Sequence, residues 1–197
     1  MRTRLVASVI ACGSLIVLAG CGSGTSAAPE PARLSPTQAA SPIPPVTNPR
    51  DVTTLARRPC ELLTSQQAVQ FGLDLPPKQY DAALGDLGCK WTSATRDRRI
   101  FRTVQIDTFT NNPTLEVAYS KRRGLPFFEL TEIAGYPALV SRPLAHLPHC
   151  DIDVKLAERQ SVSLSYRSDT FNNNPQQACE VGKQVAAAVL MNLPPKS

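Results

Sequence analysis

The sequence predicts an α+β fold in which an antiparallel β-sheet has helices packed on one face and is held by two disulfides. Three observations lead there. Several short runs alternate apolar and polar residues, a few others repeat with the period of a helix, and most connections are short enough for hairpins. The chain has 197 residues, 42% apolar and 19% charged, which suits one core with accessory segments rather than two large domains. Eighteen prolines against ten glycines exclude collagen-like repetition, and no apolar run reaches the roughly 18 residues that span a bilayer. No internal repeat is visible.

Residues 1–20 read as a lipoprotein signal peptide. Met1-Arg2-Thr3-Arg4 is a short basic start, Leu5–Leu18 is mostly apolar, and Leu18-Ala19-Gly20-Cys21 follows directly as a lipobox. An ordinary secretory signal would end in a small-residue site without a cysteine at the new N-terminus. Cys21 is therefore the expected lipidation site, and Cys12 leaves with the leader. Two acyl chains at about 0.8 kcal/mol per buried methylene anchor stably without help from basic residues. The formal net charge of +5 falls to about +3 once Arg2 and Arg4 are removed. Nucleic acid is not an expected partner.

Residues 21–50 read as the lipidated cysteine followed by a disordered Pro/Ala/Ser-rich tether. Seven prolines lie between Gly22 and Arg50, with no aromatic residue. Fully extended, this stretch would reach up to about 90 Å. Pro42-Ile43-Pro44-Pro45 is a weaker candidate for a Pro-rich recognition motif.

Residues 51–197 form the expected globular domain. Thr64 and Gln67 have capping-box spacing, Leu63 and Ala68 can form a hydrophobic staple, and Gly72 is a natural helix stop. Gly88–Thr92 and Ile100–Thr108 read as a hairpin across the Arg96–Arg99 loop, with Ile100, Val104 and Ile106 on one face. Asn112-Pro113 predicts a cap and first-turn proline for a helix running to Gly124, with Lys121, Arg122 and Arg123 in its last turn. Phe127–Glu132 and Pro137–Arg142 are strands around Gly135. Cys150, Ile152, Val154 and Leu156 alternate with Asp151, Asp153 and Lys155, and Val162, Leu164 and Tyr166 alternate with serines, predicting half-buried strands with polar outer faces. Asn174-Pro175 opens the longest helix, whose inner stripe is Ala178, Cys179, Gly182, Val185, Ala186 and Val189.

Cys60, Cys89, Cys150 and Cys179 are an even set on what the leader marks as the oxidising side of a membrane, so two disulfides are expected. Four cysteines allow three pairings. Cys60 with Cys89 and Cys150 with Cys179 is favoured, because each would tie the edge of a helix to a neighbouring strand. A redox or zinc centre is the alternative, but no C-x-x-C occurs.

The lipobox, the tether, Pro59-Cys60-Glu61-Leu62-Leu63-Thr64, Gly88-Cys89-Lys90-Trp91, Cys150 opening a strand and Cys179 in a C-terminal helix together resemble a known lipoprotein family. It is the domain-of-unknown-function family of mycobacteria and related actinobacteria that includes LprB and LprC. The likeness covers nearly the whole head through its C-x-L-L-T and G-C-x-W motifs. The resemblance implies a surface lipoprotein of an actinobacterium. It brings no catalytic residues with it.

No constellation specifies a reaction, a cofactor or a metal. His146 and His149 beside Asp151 have spacing that zinc could use, but Pro148 forbids a regular helix there and an exposed polar loop is the simpler reading. Either histidine, with Asp151 or Asp153 and a serine from Ser161 to Ser165, could be arranged as a hydrolase triad, yet no G-x-S-x-G, S-x-x-K or H-E-x-x-H is present. Arg96, Arg98, Arg99 and Arg102 with Lys121–Arg123 could form a basic surface if their elements adjoin; solvated charges and a dipole-complementing helix end are the plainer account. Trp91 reads as core beside a disulfide rather than a ligand platform. The expectation is a non-enzymatic, membrane-anchored extracytoplasmic module that binds an envelope protein, wall component or small amphiphile. A cell-envelope hydrolase is the alternative.

Overall fold

The computed structural model describes residues 41–83, 86–95 and 97–197. The leader, Cys21, the tether up to residue 40 and Arg96 lie outside the described residues. Among those described, seven strands form one sheet: β1 (Lys78–Asp81), β2 (Leu87–Thr92), β3 (Arg102–Phe109), β4 (Phe127–Ile133), β5 (Tyr136–Arg142), β6 (His149–Ala157) and β7 (Gln160–Ser168). Their order is β1-β2-β3-β7-β6-β5-β4, antiparallel throughout. Four helices accompany them: α1 (Thr53–Ala56), α2 (Ser65–Gln70), α3 (Thr114–Arg122) and α4 (Gln176–Asn192). The α+β class is as expected.

Three local predictions rest on chemistry that the structure displays. Thr64 Oγ accepts from the Gln67 N–H while the Gln67 side chain accepts from the Thr64 N–H, closing the capping box of α2. Ala134 and Gly135 both have positive φ (51° and 83°), the backbone that a two-residue β4–β5 turn needs to match the strand twist. Cys60 pairs with Cys89 and Cys150 with Cys179. The first joins a 3₁₀ turn (Pro59–Glu61) to β2, and the second joins β6 to α4.

One core lies between the sheet and α4. Val104, Ile106, Ile152, Val154, Val162, Leu164 and Tyr166 share that face with Val185, Ala186 and Val189. Gly182 permits the close approach: a Cβ there would lie 2.8 Å from Ile152 Cδ1 and 3.3 Å from Tyr166 Cβ.

Helix α3 departs from the single-face arrangement. It lies on the opposite side, where Leu115 and Ala118 pack on Leu139 with Phe128 and Leu130. The alternating polar residues of β6 are consequently half roofed rather than open to solvent: Arg122 reaches Asp153, and Glu116 reaches Lys155. The apolar minority on that face, Leu139 and its β4 neighbours, draws the helix over.

Residues 41–50, read as tether, are seated on the head. Ile43 is buried against Leu115, Ala118 and Leu139. The Arg50 N–H donates to the Leu156 carbonyl, Tyr136 Oη donates to the Asn48 carbonyl, and the Lys196 N–H donates to the Pro49 carbonyl. Proline excludes helix but not an extended strap whose partners are elsewhere. Within Pro42–Pro45 Ile43 is the residue that packs on the head, while Pro42, Pro44 and Pro45 are exposed.

Two smaller corrections concern segment ends. Ile100 belongs to a 3₁₀ turn (Arg98–Ile100) and is 46% exposed, not on the core face of β3. Helix α3 begins after Pro113, and Asn112 contributes its carbonyl to Thr114 rather than a side-chain cap.

Candidate functional site

The face of the sheet opposite α4 carries, beyond the Phe109–Ser161–Lys155 row near the β6–β7 turn, three further cross-strand rows. Gly88, Asp107, Ser163, Asp153 and Leu139 stand side by side in one. Lys90, Gln105, Ser165, Asp151 and Ser141 form the next. Thr92, Thr103, Arg167 and His149 form the third. Period-two alternation explains the rows, since every second residue of each strand must emerge on the same side. Helix α3 roofs the β5–β6 end, while Lys90, Thr92, Thr103, Gln105, Ser163, Ser165 and Arg167 remain at least partly accessible.

The roofed end contains a buried ion pair. Arg122 Nη1 donates to Asp153 Oδ2 at 2.7 Å, and the Asp153 side chain is 1% exposed. Burial pushes the Asp153 carboxyl up from its ordinary value, against the opposing charge of Arg122 and a hydrogen bond from Ser163. Asp151, one step along β6, is held low: its burial acts upward but is outweighed by hydrogen bonds from His149 and Ser165 and by the charges of His149 and Arg122. At the open end Tyr80 Oη donates to Asp107 Oδ1 across Gly88, whose missing side chain leaves room for the tyrosine ring. Burial and that hydrogen bond raise the Tyr80 phenol, and burial raises Asp107.

The serine, histidine and aspartate do meet, but not as a relay. His149 Nε2 lies 2.6 Å from Ser165 Oγ and 3.1 Å from Asp151 Oδ1. A hydrolytic triad places the nucleophile on one imidazole nitrogen and the orienting carboxylate on the other. Here one nitrogen serves both: an Nε2–H that donates to the ionised Asp151 has no lone pair left to take a proton from Ser165. His146 is exposed in the loop before β6, Asp153 is occupied by Arg122, and Ser161 Oγ is buried under the face.

Several cations near the end of α3, before β3 and at the end of β7 are paired. Arg122 is bound to Asp153, Arg99 to Asp97 and Arg167 to Asp169, while Arg142 lies over Phe127 at 5.0 Å and donates to the Ala145 carbonyl. Trp91 is 1% exposed and floors a depression of about 340 Å³ walled by Cys60, Leu63, Ala68, Leu73 and Leu75. It is a core residue beside a disulfide.

Sequence reading missed Tyr80, because β1 has no apolar alternation to announce it. Asp107 and Gln105 were detectable: they occupy the polar phase of a strand whose apolar phase was recognised.

A family described as protein of unknown function, DUF3558, matches residues 16–192. The chain belongs to the DUF3558 family. No curated protein and no solved structure matches it. In this DUF3558 chain the polar face runs from β2 across β3 and β7 to β6.

Proposed function

We propose that this DUF3558 chain is an extracytoplasmic lipoprotein, anchored through Cys21 on the outer side of the cytoplasmic membrane, whose head is a non-catalytic module that binds a wall component. The lipobox and the two disulfides support the placement, since paired cysteines belong to oxidising compartments. The observation that carries the binding reading is the unroofed part of the polar face: Lys90, Gln105, Ser163, Ser165 and Arg167 offer donors and acceptors on a rigid sheet. Such a surface suits a hydroxyl- and amide-rich polymer better than an acyl chain, which needs an apolar cleft.

Metabolic labelling with an alkyne fatty acid tests the anchor. The native chain should carry the label and sediment with membranes, whereas Cys21→Ser should do neither; an unlabelled native chain overturns the anchor. Co-sedimentation with purified wall sacculi tests the module. Retention should fall at least several-fold in Gln105→Ala/Lys90→Ala, and equal retention would remove the polar face as the surface. The hydrolase reading has one supporting observation, the contact of Ser165 with His149. It requires Ser165→Ala to abolish an esterase or amidase activity.

A further inference from the structure

The two edges of the sheet are not alike. β1 has four residues, follows Pro76-Pro77 and starts at the exposed Lys78, features that discourage pairing with another chain. β4 has seven residues, no bulge, no proline and no lysine, and carries Phe127, Phe128 and Leu130 half-buried along it. Ile133 and Tyr136 flank the two-residue turn as a hydrogen-bonded pair, so alternation directs the N–H and C=O groups of Glu132, Leu130 and Phe128 away from β5. Among the described residues, no backbone group outside the sheet pairs with them.

We infer that β4 pairs antiparallel with β4 of a second copy of this chain, about a two-fold axis at Leu130, to make one continuous sheet across a dimer. The register follows from the sequence of the strand. Centred on Leu130, Phe128 faces Glu132 of the copy, Leu130 faces itself, and all six outward backbone groups are satisfied. Glu129 then faces Thr131, so no two carboxylates stand directly opposite one another. Shifting the pairing by two residues one way brings Glu129 against its own copy and Glu132 against Pro126, which has no N–H. Shifting it the other way sends Phe128 past the end of the strand to Ala134 in the turn. Phe128 and Leu130 also extend the apolar cluster under α3 toward the edge, which gives the joined strands a shared apolar flank.

Cysteine scanning of the purified full-length chain carrying Cys12→Ser and Cys21→Ser, so that the introduced thiol is the free one, tests the inference under mild oxidation. Opposed residues in a hydrogen-bonded antiparallel pair have Cα atoms about 5.5 Å apart, within disulfide reach. Leu130→Cys should therefore give a covalent dimer on a non-reducing gel. Glu132→Cys alone, with its copy about 14 Å away, should not, but mixed with Phe128→Cys it should form the heterodimer. Sedimentation of the native chain at micromolar concentration should give twice the monomer mass. Glu132→Pro, which deletes an outward donor without touching a β4–β5 bond, should give the monomer with an unchanged far-ultraviolet spectrum. A monomeric native chain, or cross-linking as efficient at position 132 as at 130, overturns the inference, as does recovery of β4 paired with an extended segment of another protein.

Discussion

Asp153 is the residue on which the second face is most sensitive. Its carboxylate is enclosed and Arg122 is its one charged partner among the described residues, so removing the guanidinium leaves a buried charge uncompensated. Arg122→Met should cost about 3 kcal/mol in urea denaturation at neutral pH. The loss should shrink on acidification: a carboxyl whose folded value is already raised binds its proton more readily in the folded chain, so stability is recovered as pH falls through that value. Asp151 works with the opposite sign. Its lowered value stabilises the fold above the ordinary carboxylate range, and that contribution disappears as pH falls through the folded value. Asp151→Asn should thus destabilise at neutral pH and converge with the native chain in acid, in paired pH-dependent melts. Neither role was legible in the sequence, where both aspartates look like ordinary outward residues of a half-buried strand. Asp153 is set apart by a helix arriving from 31 residues away, and Asp151 by His149 and Ser165 converging on it across the strands.

Elements whose signals are local were legible, and those defined by a distant partner were not. The capping box of α2, the β4–β5 turn and the inner stripe of α4 depend on residues within a few positions of one another. Thr64→Ala should cost about 1 kcal/mol of stability through loss of the cap. Gly182→Val should cost about 1–3 kcal/mol, because the added methyls would press on Ile152 and Tyr166 beneath α4; both are measurable by thermal unfolding. By contrast α3 is short and mostly polar, and nothing in its own residues says which side of the sheet it covers. β1 was missed for a related reason. Its membership is fixed by pairing to β2 and by Tyr80 lying over Gly88, not by a pattern of its own.

The whole molecule is stapled twice across the same core. Each disulfide closes a span of 29 residues, for which the chain-entropy model gives roughly 3–4 kcal/mol. Cys60→Ser/Cys89→Ser and Cys150→Ser/Cys179→Ser should each lower the urea midpoint by a corresponding amount, and peptide mapping without reductant should return these two pairs and no others. The pairing was legible because helix and strand edges lay next to one another in the predicted order; the extent of the head was not, since a proline-rich strap gives no periodic signal when its partners are elsewhere. That strap places the beginning and the end of the head together. Arg50 bridges to Pro195, and its guanidinium holds both the Tyr136 hydroxyl and the Leu193 carbonyl at the foot of α4. A pull on the N-terminal chain would therefore be passed at this clasp to α4, which is bolted to β6 by Cys150–Cys179. Mechanical load would be shared between α4 and β6 instead of unzipping the sheet strand by strand.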